Sequence, residues 1–269
     1  MNLGYINYLN CFPFYYEIFE SSPPEGVNII PAYPGELNRM MKEGKITMSP
    51  VSAAAYSYLQ KDFLILPQFC LSSVGYVKSV VLQSHVPIEE LHGKTVGLTT
   101  ASETSVALLK VLLSKYYKVK PEYIPVKPQP DFNAVDAALV IGNEAMKETP
   151  IPVEYSYDLG DLWLRKTGYP VVFAIFLVHR DELSKNRDLI KSICQSFQRS
   201  LKNLESNREE LVKKASLRYP DIKYDISKYY SYLRFEFTEE LQQALSFYFA
   251  EASAAGIIAE VKRLEFADL

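Results

Sequence analysis

Short apolar, β-branched runs alternate with segments of helical periodicity from the first residues onward, and that alternation points to an α/β chain rather than to segregated classes. Strands are expected at residues 3–6, 28–32, 46–48, 64–66, 79–82, 95–98, 123–125, 137–141 and 171–178. Helices are expected at 14–19, 34–42, 53–59 and 106–116, the second opened by Pro34 and ended by Gly44. The stretch Ser22-Pro23-Pro24-Glu25-Gly26 reads as the turn before the second strand. Beyond residue 178 only helical patterns remain, over 181–216 with a break near 203–207, then 226–233 and 238–255. At Ser84-His85-Val86-Pro87 the chain changes character: a helical turn over 88–91 closes at Gly93 and a fresh strand begins. One lobe starts, a second α/β lobe is inserted, and helices finish the first. The expected division is 1–84 with 175–269 for the first lobe and 85–174 for the inserted one. Two crossings, near 84 and 174, would form a two-strand hinge with a ligand cleft between the lobes.

A chain of 269 residues has room for two such lobes, each with its own core. Hydrophobic residues at 48% and charged residues at 23% are the balance of a soluble globular protein. No stretch approaches the ~20 apolar residues of a membrane span, so no membrane partner is expected. The net charge of −3 disfavours a nucleic-acid or anionic-membrane surface. The most basic stretch, 185–214, interleaves acids and bases as a solvated helix face does. The start lacks the basic and apolar regions of a secretory leader, which points to the cytoplasm. The three cysteines, Cys11, Cys70 and Cys194, then read as free thiols in a reducing compartment. His85, His92 and His179 are scattered without zinc-like spacing. The sequence contains no G-x-G-x-x-G or Walker loop, hence no implied nucleotide cofactor, and no G-x-S-x-G elbow.

Three segments carry polar groups where ligands bind. The first strand runs into Asn7-Tyr8-Leu9-Asn10 and then Pro13, placing neutral donors and acceptors at the carboxyl end of a strand, where open α/β sheets bind ligands. Among 20 tyrosines, Tyr5, Tyr8 and Tyr76 stand beside such residues, where a phenol can line a cleft and offer its hydroxyl. Thr99-Thr100-Ala101-Ser102-Glu103-Thr104-Ser105 ends a strand and opens a helix. It reads either as a helix cap or as an anion site made by free N–H groups and the helix dipole. Ser49-Pro50-Val51-Ser52 repeats that logic in the first lobe, and two such cradles would suit a compact dianion. Glu144, in Gly142-Asn143-Glu144-Ala145, reads as a base at the cleft or as an acid favoured at a helix start. Asp158 and Asp161, flanking Gly160, read as structural turn residues.

In combination and order, several of these segments resemble one family. They are Tyr5-Ile6-Asn7-Tyr8-Leu9-Asn10 with Pro13, Ser49-Pro50-Val51-Ser52, Val77-Lys78-Ser79-Val80, and Ser102 to Ser105. Two later segments join them: Asp158-Leu159-Gly160-Asp161-Leu162-Trp163 and Thr167-Gly168-Tyr169-Pro170-Val171-Val172-Phe173-Ala174. The chain is similar to the chorismate dehydratases of the futalosine route to menaquinone. The resemblance implies a two-lobed type II periplasmic-binding-protein-like α/β fold used as a cytoplasmic enzyme. It implies loss of water from chorismate to give 3-(1-carboxyvinyloxy)benzoate, with neither metal nor organic cofactor. It carries Asn10 and Ser79 over as the residues facing the reacting part of the substrate. Asn7, Tyr8, Ser49, Ser52, Thr100, Ser102, Thr104, Ser105, Gly142 and Asn143 become expected substrate-binding residues. Asn143 stands where many relatives carry an acid. Two alternatives remain open at this stage: the 1,4-dihydroxy-6-naphthoate synthase of the same pathway, and a solute-binding protein for a small carboxylate.

Overall fold

The computed structural model describes residues 1–21, 23–147 and 152–269; Ser22, expected in the turn before the second strand, lies outside them. The chain opens with β1 (Asn2–Ile6), α1 (Phe12–Ser21), β2 (Asn28–Ala32), α2 (Pro34–Lys42), β3 (Met48–Ser52), α3 (Tyr56–Leu59) and the long β4 (Phe63–Ser73). It crosses into β5 (Val80–Ser84), β6 (Thr95–Thr99), α4 (Glu103–Val111), β7 (Glu122–Val126), β8 (Ala137–Ile141), β9 (Tyr155–Asp158) and α5 (Leu159–Thr167). It returns through β10 (Val171–His179) to α6 (Arg180–Lys185), α7 (Arg187–Ser206), α8 (Arg208–Arg218), α9 (Ile226–Tyr232), β11 (Leu233–Glu236) and α10 (Glu239–Ala254).

Two sheets result, in the strand orders β11-β4-β10-β3-β1-β2 and β7-β6-β8-β5-β9. In the first, β1 runs parallel to β2 and β3, and the returning β10 lies antiparallel between β3 and β4. The apolar run of β10 is explained by that central place: Ile175, Phe176, Leu177 and Val178 are fully buried. Phe14 of α1, Phe69 of β4, Phe176 of β10 and Phe197 of α7 interlock in one aromatic core. In the second sheet β6 runs parallel to both β7 and β8. Thus β1 and β6 are each flanked by parallel strands on both sides. Their carboxyl ends are switch points, where loops diverge and leave a crevice.

Several expectations shift. Val80–Ser84 belongs to the second sheet and Val171–His179 to the first, so the crossings lie at 74–79 and 168–170 rather than near 84 and 174. Ser49-Pro50-Val51-Ser52, expected as a strand end opening a helix, lies within β3, with Pro50 opposite Phe176 of β10, and Ser52 is the N-cap of the helical turn Ala53–Ala55 that leads into α3. The pairing with β1 stops at Leu3–Met48, so this stretch has one partner strand, and a proline is tolerated there. The region after residue 178 is not helical alone: β11 adds an edge strand against β4. The turn expected around Gly160 is the first turn of α5, capped by Asp158. The helical stretch over 181–216 breaks at Asn207, within the expected interval, and also at Asn186, giving three helices.

Candidate active site

The turn after β1 is built first from its own backbone. Tyr8 N–H donates to Ile6 O at 2.7 Å and Cys11 N–H to Tyr8 O at 3.1 Å, curling residues 9–11 into a tight helical turn that leads into α1. From above, α9 supplies two adjacent tyrosines. Tyr230 donates its hydroxyl to Leu9 O at 3.0 Å, and Tyr229 donates to Ser79 Oγ at 2.8 Å. Asn10 follows Leu9 in the same tight turn. Asn10 Oδ1 is buried and has no partner. Of the two residues carried over as facing the reacting group, Ser79 is bonded to α9 directly, and Asn10 follows the Leu9 carbonyl that α9 also holds.

Ser79 owes its place to a pinned crossing. Lys78 takes a left-handed backbone, φ +69°, which a non-glycine residue adopts only when its surroundings hold it there. The holder is Asp158, whose carboxylate accepts N–H bonds from Val77 at 3.1 Å, Lys78 at 2.7 Å and Asp161 at 3.1 Å. Burial pushes the Asp158 carboxyl above its ordinary range, and the N–H donors pull it back. On its other side Ser79 O accepts from Gly142 N at 2.7 Å, tying the crossing to the end of β8.

The Gly142 turn then meets the Asn-rich turn. A Cβ at Gly142 would lie 2.5 Å from the Tyr8 ring, and its φ is +62°, so both space and conformation require glycine. Asn143 Oδ1 accepts from Leu9 N at 2.8 Å; an acid here would accept the same bond. Tyr8 OH and Glu144 Oε2 are both buried without a partner. Burial first, and the adjacent Glu144 carboxylate second, push the Tyr8 phenol well above its usual value. Tyr33 packs on the Tyr8 ring at 5.5 Å between centroids. Orphaned buried polar atoms on three neighbouring residues mark where a polar ligand or water belongs.

The hydroxyl-rich start of α4 does something sequence reading did not foresee: it joins the lobes directly. Ser102 caps the helix by accepting from Ser105 N at 3.3 Å. Across the cleft, Ser52 Oγ accepts from Glu103 N at 3.3 Å and Thr104 Oγ1 accepts from Ala54 N at 3.1 Å. The Glu103 carboxylate accepts from Asn38 at 3.0 Å and Tyr58 at 2.8 Å. Gly35 N donates to Ala101 O at 2.9 Å. Thr100 remains exposed, as does Asn7, whose Oδ1 accepts from Tyr219 at 3.3 Å. Ser49 is not brought into this group: it is fully buried, donates to Pro50 O at 2.7 Å and packs against Gly4.

Nothing local in the sequence distinguishes Tyr219, or the pair Tyr229 and Tyr230 in the middle of a short helix, among 20 tyrosines. Tyr5, which stands beside the Asn-rich turn, is buried, its hydroxyl paired with that of Tyr219. Among the described residues no group of three or more His, Cys, Asp or Glu side chains converges as a metal site. No described helix is long and apolar enough to cross a membrane. Cavities of about 850 Å³ and about 480 Å³ lie elsewhere, at the β11 edge and beside Arg180.

Comparison with known proteins converges on one lineage. A family model described as menaquinone biosynthesis matches residues 1–254. The chorismate dehydratase of Thermus thermophilus is 34% identical over 196 residues, covering 66% of this chain and 70% of that protein. The 1,4-dihydroxy-6-naphthoate synthase of the same organism is 24% identical over 232 residues, covering 84% of each. Among solved structures, a protein from Archaeoglobus fulgidus superposes with a TM-score of 0.75 at 18% identity, over 96% of this chain and 98% of that one. The alkanesulfonate-binding protein SsuA from Xanthomonas axonopodis does so with a TM-score of 0.66 at 11% identity, over 97% and 94%. The strand orders, the paired switch points and these matches lead to one conclusion: the chain belongs to the menaquinone-biosynthesis family, built on the periplasmic-binding-protein fold.

Proposed function

We propose that this protein is a chorismate dehydratase, a carbon–oxygen lyase that eliminates water from chorismate to give 3-(1-carboxyvinyloxy)benzoate. The observation that carries the reading is the docking of α9 on both segments: Tyr229 donates to Ser79 Oγ and Tyr230 to Leu9 O, next to Asn10, whose Oδ1 is left unpartnered. The sequence relationship to the Thermus thermophilus dehydratase supports it. We place the enzyme in the cytoplasm, in keeping with three buried, unpaired cysteines.

The reaction breaks the C3–H bond, whose electron pair forms the third ring double bond as the C4–O bond breaks and hydroxide leaves. Aromatisation supplies the driving force, so the protein's task is to orient the diene and select this elimination. The substrate's own enolpyruvyl carboxylate takes the C3 proton and hands it to the departing hydroxide, giving water. Asn10 and Ser79 hold the hydroxyl that leaves. The start of α4 (Thr100, Ser102, Thr104 and Ser105), with Ser52 facing it, holds carboxylate oxygens through its hydroxyls, while the Glu103 and Ser105 N–H groups are taken by Ser52 and Ser102. Asn7, Tyr8 and the turn at Gly142 and Asn143 form the opposing wall, and closure of the lobes excludes water from competing reactions.

Asn10→Ala and Ser79→Ala test this assignment. Each is expected to lower kcat by about 100-fold or more, the scale of losing an oriented polar contact to a reacting group; Asn10→Ala leaves the melting temperature unchanged, whereas Ser79→Ala strands the buried Tyr229 hydroxyl and costs about 1–3 kcal/mol of stability. Undiminished turnover in either variant would remove that residue from the reaction.

A further inference from the structure

Asp158 is the last residue of β9 and the N-cap of α5, and its carboxylate is divided between two tasks. Oδ1 accepts from Asp161 N at 3.1 Å, which caps the helix. Oδ2 accepts from Lys78 N at 2.7 Å, and Val77 N, 3.1 Å from each oxygen, bridges the two. The first turn of α5 is also shaped to receive the crossing, since a Cβ at Gly160 would collide with the Gly75 carbonyl oxygen. Ser79 follows at once. It stands one residue before β5, its carbonyl accepts from Gly142 N at 2.7 Å, and its hydroxyl accepts from Tyr229 at 2.8 Å. β9 pairs with β5 in the register Val81–Asp158, so the carboxylate and the entry to β5 belong to one sheet. Between the held N–H groups and Ser79 the only joint is Lys78, at φ +69°. A lysine released from that region returns to negative φ, and the rotation carries Ser79 with it.

We propose that Asp158 is a positioning residue for the reaction, holding Lys78 in its left-handed turn so that Ser79 meets the hydroxyl that leaves. It acts through Ser79 rather than on the substrate. The choice of side chain fits the task. A carboxylate accepts at both oxygens, and the groups that face this one are all N–H donors. Serine caps a helix as well as aspartate does, but it brings a single short hydroxyl. With that oxygen on Asp161 N, nothing is left to reach Lys78 N. Asp158→Ser therefore keeps the helix cap and removes the hold on the crossing, which separates positioning from folding. The kinetic part of the argument rests on the chorismate reading; the hold of Asp158 on the crossing does not.

In Asp158→Ser the expected result is a kcat lowered about 10- to 100-fold with KM changed less than about threefold, because a displaced group at the leaving atom is felt in the transition state. In a Ser79→Ala background the same change should add less than about twofold, since Asp158 acts through Ser79. Lys78→Gly supplies a rescue. Glycine holds positive φ without help, so adding it to Asp158→Ser should restore kcat by about threefold or more. An unchanged kcat in Asp158→Ser, full multiplication with Ser79→Ala, or no rescue overturns the proposal. A second measurement needs no substrate. The Gly142 N–H is held by Ser79 O at the end of β8. In amide hydrogen exchange it should be protected in the wild type and open about tenfold faster or more in Asp158→Ser. A Gly142 amide that stays protected while those of Val77 and Lys78 open would confine Asp158 to the crossing itself and overturn the positioning role. If the wild-type protein leaves chorismate unchanged, the dehydratase reading fails and the Gly142 amide alone decides the role of Asp158.

Discussion

Replacing Gly35 by Ala separates lobe closure from folding. Gly35 is the second residue of α2, and its backbone is not left-handed, so alanine suits the helix itself. Within the first lobe the change is favourable, by up to about 1 kcal/mol for Gly to Ala in a helix. Across the cleft it is not. The new Cβ would stand 2.5 Å from the Thr100 carbonyl oxygen, which belongs to the other lobe and, being backbone, cannot swing aside. Restoring ordinary contact needs a retreat of about 1 Å. Overpacking of this kind costs about 1–3 kcal/mol, and the Gly35 N–H bond to Ala101 O, worth about 1 kcal/mol, goes with it. The closed arrangement therefore loses about 2–4 kcal/mol relative to the open one, or about 30-fold to several hundred-fold in the closure equilibrium. Small-angle scattering with and without chorismate, steady-state kinetics and a thermal melt read the three consequences. Expected are a larger ligand-bound radius of gyration, a depressed kcat/KM and an undiminished melting temperature. Wild-type scattering and activity would refute the reasoning. So would a large loss of melting temperature, which would assign the contact to folding.

Three further outcomes follow from particular contacts. Asp158→Ala strands the N–H groups of Val77, Lys78 and Asp161 and frees Lys78 from φ +69°; urea titration should show a loss of about 2–4 kcal/mol. Burial pushes the Cys70 and Cys194 thiols up to about 12 from an ordinary 9.0, so Ellman's reagent at neutral pH should label them only after unfolding. The unfolded thiols ionise near their ordinary value and the folded ones later, so these groups' contribution to stability, complete below that value, is lost as pH rises from 9.0 toward about 12. Trp163, the one tryptophan, is fully buried between Tyr116 and the α10 residues Phe247 and Tyr248. Its emission should be blue-shifted and resist iodide quenching in the native protein; ready quenching would contradict that packing.

Where local pattern and tertiary environment agree, the sequence is readable. Residues 34–42 carry a proline start, an apolar face and a glycine stop, and α2 spans Pro34–Lys42. Residues 137–141 are apolar throughout, and β8 is buried on both faces. Expectation failed where a partner strand overrode local chemistry. Ser49-Pro50-Val51-Ser52 reads as a strand end opening a helix, but pairing with β10 carries the strand on to Ser52, and Leu233–Glu236 becomes a strand because β4 has a free edge beside it. The site divides the same way. The turn at residues 7–10 is marked by asparagine beside an apolar strand, a contrast visible over a few residues. Tyr229 is some 150 residues from Ser79 in sequence, and only folding brings its hydroxyl there. The serines and threonines at the start of α4 were legible as polar, but their bonds to Ser52 and Ala54 are long-range facts.

Incubating the purified protein with chorismate and following the products by chromatography and mass tests the central claim most directly. The account predicts an aromatic enol ether lighter than chorismate by one water, formed by the wild type and lost in Asn10→Ala and Ser79→Ala. Chorismate recovered unchanged would contradict it. Turnover of the naphthoate-synthase substrate in its place would move the chain to the other activity found among its relatives.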